Sequence, residues 1–140
     1  SRAHELLGAL GLAGDASALV VDYSAGMTKK ISLACALVHA PRVLVLDEPF
    51  EAVDPVSAST IKEILDAFVD SGGTVVLSSH VMELVERLCS DVAVIAAGQV
   101  RAVGTVDEVR GGRSLEERFV DLVGGRTHVQ GLEWLRTFSD

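Results

Sequence analysis

Two kinds of hydrophobic pattern share this chain: short unbroken apolar runs, and longer stretches in which apolar residues return every third or fourth position. Runs of the first kind read as buried strands and stretches of the second as amphipathic helices. Residues 2–12 place Leu6, Leu7 and Leu10 on one side, with Ala3 at its edge, and predict a short helix. Gly11 to Ala18 is a connector of small residues. Val20 and Val21 lead to Asp22-Tyr-Ser24, after which Met27, Ile31, Ala34, Cys35 and Val38 recur at helical spacing and predict a helix from about Ala25 to His39. Pro41 closes that element, and an apolar strand over 42–46 follows, of the kind buried in a parallel sheet.

Asp54-Pro55 opens the next helix, an N-cap followed by proline at the first helical position. Ile61, Ile64, Leu65 and Phe68 then form its i, i+3, i+4, i+7 stripe. Ser71-Gly-Gly73 is a turn into a second buried-type strand, Thr74 to Ser78, which runs out at Ser79-His80. A helix over roughly 81–89 presents Val81, Leu84, Val85 and Leu88. Val92–Ala97 and Val100–Val103 predict a hairpin at the sheet's margin, turned at Gly98-Gln99. Thr105-Val-Asp-Glu108 and Ser114-Leu-Glu-Glu117 both match the capping-box pattern and predict two short helices. Residues 126–140 form a tail that Trp134 would anchor.

The chemistry concentrates where the first strand ends. Val43–Leu46 runs straight into Asp47 and Glu48, and Pro49 stops the strand. Open α/β sheets bind ligands at the carboxyl ends of their strands. There, one carboxylate can hold Mg²⁺ and the other can act on a water. An acidic pair at a strand end is by itself equally consistent with a solvated junction. Its context adds weight: Tyr23-Ser-Ala-Gly-Met27 puts small residues at a helix start, where backbone N–H groups and the macrodipole favour an anion. Simple N-capping by Ser24 is the plainer reading of that segment, and both can hold together. His80 closes the second strand beside the acidic pair; a lone histidine there is more often structural than catalytic.

A phosphate-cradling loop needs Gly-Lys followed by Ser or Thr. The only lysines, Lys29, Lys30 and Lys62, follow Thr28, Lys29 and Ile61, so none completes that motif. With Ser1 at its start, the chain is expected to be the latter part of a longer nucleotide-binding domain, the alternative being a complete small protein without the loop. Across its 140 residues, aromatic residues supply only 4 %, so Val, Leu, Ala and Ile must build the core. No apolar run approaches the ~20 residues of a membrane span. A net charge of −8 argues against nucleic acid as a partner, because phosphate contacts need clustered Lys and Arg. Cys35 and Cys89 lack metal-ligand spacing and are expected to be buried, reduced thiols.

The order of these motifs resembles the ATP-binding-cassette ATPase family. Tyr23-Ser-Ala-Gly-Met27 looks like its signature motif, usually Leu-Ser-Gly-Gly-Gln. Val43–Asp47 with Glu48-Pro49 resembles the Walker B strand and catalytic glutamate, Glu51-Ala-Val-Asp54-Pro55 the D-loop, and Ser79-His80 the switch histidine. Gly98–Thr105 fits the family's late hairpin, so the resemblance covers about residues 2–123. It implies a partial P-loop NTPase domain, α/β, with mostly parallel buried strands flanked by helices. Its parts would be a signature segment 1–40, a Walker B to switch-histidine core 41–90, a hairpin with helices 91–123, and a tail 124–140.

The resemblance also implies roles. Asp47 would hold Mg²⁺, Glu48 would be general base, and His80 would contact the γ-phosphate. Ser24, Ala25 and Gly26 would touch ATP held by an opposite subunit, with Asp54 at the dimer seam. Partners would be a second cassette, identical or not, and a membrane-spanning permease at the inner face of the cell membrane. The chain alone would not turn over ATP. Its ending looks most like exporter-type cassettes. Departures are Ala25 for the first signature glycine, whose methyl is costly if φ is positive there, and Met27 for glutamine. The rival readings are a DNA-repair or chromosome-maintenance ATPase, and a non-catalytic module lending its signature face to a partner.

Overall fold

The computed structural model describes residues 1–125 and Gly131, so the expected anchor Trp134 lies outside the described residues. These residues divide into two compact units, Ser1–His80 and Val81 onward.

In the first unit the helices are α1 (Arg2–Ala9), α2 (Ala25–Leu37) and α3 (Pro55–Asp70), and the strands are β1 (Val43–Asp47) and β2 (Thr74–Ser78). β1 and β2 pair in parallel, with Val43 opposite Thr74 and Asp47 opposite Ser78. A parallel pair cannot be closed by a tight hairpin, and α3 is the crossover. Asp54 caps it by accepting the Ser57 N–H at 2.9 Å, and Pro55 occupies its first turn. α3 ends in a Schellman arrangement: Gly72 N–H donates to Val69 O, Gly73 N–H to Phe68 O, and Gly72 has φ +91°. The Phe68 ring fills the place where a Gly73 side chain would stand.

Leu10, Leu12, Leu33, Ala34, Leu44, Ile61 and Leu65 form the core of this unit. The strands depart from expectation, because helices cover only the face that carries Leu44. Successive strand residues point to opposite faces, so Val43, Val45 and Val76 are left 55 %, 78 % and 54 % exposed. α2 also turns differently from the predicted stripe. Leu33 and Ala34 are its buried residues, so Cys35, a further 100° round, is exposed rather than buried.

In the second unit α4 (Met82–Leu88) precedes β3 (Asp91–Ala96) and β4 (Gln99–Thr105), followed by α5 (Val106–Arg110) and α6 (Leu115–Leu122). β3 and β4 form their own antiparallel pair, with a bulge at Val94/Ile95. The turn residues are Ala97 and Gly98, φ +51° and +72°, one position earlier than expected. Two consecutive left-handed residues suit the twist of a two-residue hairpin. Both predicted capping boxes form, Thr105 with Glu108 and Ser114 with Glu117. Val85, Val94, Val109 and Leu115 make the core. Glu86 accepts from Arg110 Nη1 at 2.7 Å and from the Leu115 N–H at 3.2 Å, joining α4, α5 and α6. Those two bonds hold its carboxyl below the usual range, the Leu115 N–H contributing most. Cys89 is half-buried, and that burial raises its thiol pKa.

Candidate functional site

The parallel register brings the ends of β1 and β2 to the same edge of the sheet, with Asp47 directly opposite Ser78. The Ser78 hydroxyl donates to Asp47 Oδ1. It also accepts the Glu48 N–H at 3.1 Å, while Ser78 O takes the same N–H at 3.2 Å. Beyond Ser78 the chain reaches His80, whose Nδ1–H donates to Glu48 Oε1 at 2.7 Å. Asp47, Glu48 and His80, separated by up to 33 positions, therefore form one cluster with Ser78 as its bridge.

The imidazole is open, its side chain 69 % exposed, whereas that of Glu48 is 25 % exposed. The hydrogen bond to Glu48, followed by the charge of Glu48 and then of Glu51, raises the His80 pKa above its ordinary value. An imidazolium is therefore favoured beside the carboxylate, which suits a group that meets developing negative charge.

Glu48 has an uncommon backbone. Its φ is +46°, in the left-handed region that costs a residue with a Cβ about 1–2 kcal/mol. The following Pro49 favours an extended residue before it, so the conformation is opposed from both sides. Ser78 as acceptor and two donors restrain it. Ser78 holds the N–H, the Glu51 N–H donates to Glu48 O at 3.2 Å, and Lys29 Nζ donates to the same oxygen at 2.8 Å. Pro49 at the second position of that Glu48–Glu51 turn is the residue such turns prefer.

The signature-like residues stand at the start of α2. Ser24 is its N-cap, its Oγ accepting the Met27 N–H at 3.2 Å, and that hydroxyl keeps a hydrogen to donate. Ala25 is the first helical residue and is not among those with positive φ, so its methyl carries none of the feared cost. A side chain at Gly26 would meet only Ala52 O, at 3.7 Å, an ordinary contact. Nothing within the described residues therefore requires glycine there. Asp54 is occupied as the cap of α3, and its bonds to Ser57 keep its carboxyl below the usual range.

Asp47 suits Mg²⁺ as a single oxygen ligand. Among the described residues no three His, Cys, Asp or Glu side chains are gathered as a protein cage. Mg²⁺ is commonly held by one or two carboxylates together with substrate phosphates and water. The geometry thus collects the expected residues in two places, Asp47–Glu48–His80 at the strand ends and Ser24–Ala25–Gly26 at the α2 start. Lys29 and Ser78 were not singled out from the sequence. A serine two residues before a strand-end histidine was a weak available signal for Ser78; nothing local marked Lys29.

Known proteins similar to this chain point to one family. Residues 1–51 match the family described as ABC transporter. A fluoroquinolones export ATP-binding protein of Mycobacterium tuberculosis is 39 % identical over 110 residues, 79 % of this chain and 36 % of that protein. A linearmycin resistance ATP-binding protein of Bacillus subtilis is 38 % identical over 104 residues, 74 % of this chain and 33 % of that protein. A solved structure of an ATP binding subunit of an ABC transporter superposes with a TM-score of 0.81 at 31 % identity, covering 86 % of this chain and 52 % of that one. The chain spans about a third of the length of these curated relatives. By sequence and by fold it belongs to the ATP-binding-cassette transporter ATPase family.

Proposed function

We propose that this chain supplies the signature, Walker B, D-loop and switch elements of the ATP-hydrolysing subunit of an exporter, and that the intact subunit is an ATPase. The observation that carries the reading is the Asp47–Ser78–Glu48–His80 cluster at the ends of two strands in parallel register. The relatives' names, an export protein and a resistance protein, favour outward transport of drug-like molecules over the DNA-maintenance alternative.

In this reading Asp47 would be among the ligands of Mg²⁺, which when bound would supply positive charge at the phosphates. Glu48 takes a proton from the attacking water as its oxygen bonds to the γ-phosphorus and the bond to the β-phosphate oxygen breaks. His80 donates toward the γ-phosphate oxygens, which stabilises their charge. Ser24 and the N–H groups of Ala25 and Gly26 offer an anion-binding helix start to the ATP of a second cassette. The absence of a side chain at Gly26 lets that phosphate come close to the backbone. A permease in the membrane would be the other partner; among the described residues no helix is long and apolar enough to cross one.

The test is Glu48→Gln in the intact ATPase. Hydrolysis is expected to slow by about 10²–10⁴ while ATP binding persists, and the ATP-loaded variant is expected to run as a dimer in light scattering. Unchanged turnover would remove Glu48 from the role of base. A monomer at saturating Mg-ATP would remove Ser24 to Gly26 from the phosphate-facing role.

A further inference from the structure

We propose that Lys29 is a positioning residue for Glu48, linking the signature helix to the candidate base; this rests on the ATPase reading of the site. Lys29 lies in the second turn of α2, five positions after the cap Ser24, and reaches across to Glu48 O at 2.8 Å. It is half-buried on the wall of a cavity of about 310 Å³, which Asp47 and Pro49 also line.

Glu48 is where strand, proline turn and carboxylate chemistry meet, and its φ of +46° sets the direction of its side chain. Such a conformation persists only where the surroundings over-determine it. Ser78 acts as an acceptor from the paired strand β2, and the Glu51 N–H acts from the turn itself. Lys29 is the donor that comes from another element, and the one carrying a charge, which makes its bond to a carbonyl stronger than a neutral one. Motion of α2 as phosphate meets its N-terminus would therefore pull on the peptide that aims the base. Lys29 touches no reacting atom in this arrangement; its effect passes through Glu48.

The experiment is single-turnover ATP hydrolysis and ATP binding by the intact ATPase. Lys29→Met, Lys29→Arg, Glu48→Gln and the Lys29→Met/Glu48→Gln double variant are compared. Lys29→Met is expected to lower the hydrolysis rate by about 10- to 10²-fold, the scale of an ångström-size misplacement, with ATP affinity unchanged. Lys29→Arg should restore most of the rate, and Lys29→Met should add no loss on the Glu48→Gln background. If Lys29→Met does not yield folded protein, Lys29→Gln is read in the same way.

A parental rate in Lys29→Met beside a crippled Glu48→Gln would overturn the proposal and leave the ATPase reading standing. Weakened ATP binding, or a full additional loss on the Glu48→Gln background, would also overturn it, since Lys29 would then act on nucleotide or fold directly. Unchanged turnover in Glu48→Gln would instead defeat the reading of the site itself.

Discussion

The two units of this chain reach stability in different ways. From Val81 onward much of the fold is assembled from near neighbours, a hairpin turned by Ala97-Gly98 and two capping boxes, while Glu86 ties α4 to α5 and α6 over a longer separation. Ser1–His80 depends on a parallel pair whose strands are separated by a whole helix, and its sheet keeps Val43, Val45 and Val76 in the open. The chemistry sits in the second kind of architecture. A hairpin keeps sequence neighbours together, whereas a parallel crossover brings two distant strand ends to one edge, where Asp47, Glu48 and His80 meet. Val43, Val45 and Val76 leave one face of that sheet apolar and open.

The contrast can be pressed hardest in the cores. Ile61 is 1 % exposed and Leu115 0 %. Truncating either to alanine is expected to cost about 2–5 kcal/mol, read by urea unfolding. A cost well under that range at Ile61 alone would mean that the first unit is not held by the helix-side core described for it.

Helix caps give the next largest effect and separate structure from function. Ser24→Ala and Ser114→Ala each remove a cap worth about 1 kcal/mol. Only Ser24→Ala is expected also to slow hydrolysis in the intact ATPase. Equal activity in both variants would reduce Ser24 to a cap.

Strain offers a smaller comparison. Ala52 and Ala97 have φ of +58° and +51°, and glycine relieves the methyl clash while adding freedom to the unfolded chain. Ala97→Gly and Ala52→Gly are each expected to stabilise by at most about 1 kcal/mol, measured as a shift in the unfolding midpoint. Destabilisation at Ala97 would contradict the left-handed hairpin turn.

Titration gives the smallest and most directional contrast. His80 has a raised pKa, so its stabilising contribution is complete below its unfolded value, about 6.5, and is lost as pH rises through the higher folded value. Glu86 has a lowered pKa, so its contribution is present above its unfolded value of 4.5 and is lost as pH falls through the lower folded one. The His80 and Glu86 contributions therefore have opposite signs, one fading as pH rises and the other as it falls. NMR titration of the His80 ring should give a midpoint above 6.5 that falls back in Glu48→Gln; a midpoint unmoved by that substitution would mean the pair does not form in solution.

Local chemistry explains how much could be read beforehand. The Asp54 cap, the Pro55 start, both capping boxes and the hairpin depend on residues within a few positions of one another, and each formed. The errors came where periodicity leaves latitude. Cys35 and Leu33 both fit an apolar helix face, and only packing against Leu44 and Ile61 selected Leu33. An unbroken run such as Val43–Leu46 says that both faces tolerate apolar residues, but not that both are covered.

By itself the sequence determined the elements, their caps, and the residue types and order that mark an ATP-binding cassette, because these follow from side-chain preferences over a few residues. Only the tertiary structure decided the register that sets Asp47 opposite Ser78, the His80–Glu48 bond, the left-handed Glu48 and the reach of Lys29. Those contacts join residues 19 to 32 positions apart. Over such separations no local preference selects a partner; the packing of α2 and α3 on β1, and the pairing of β1 with β2, do.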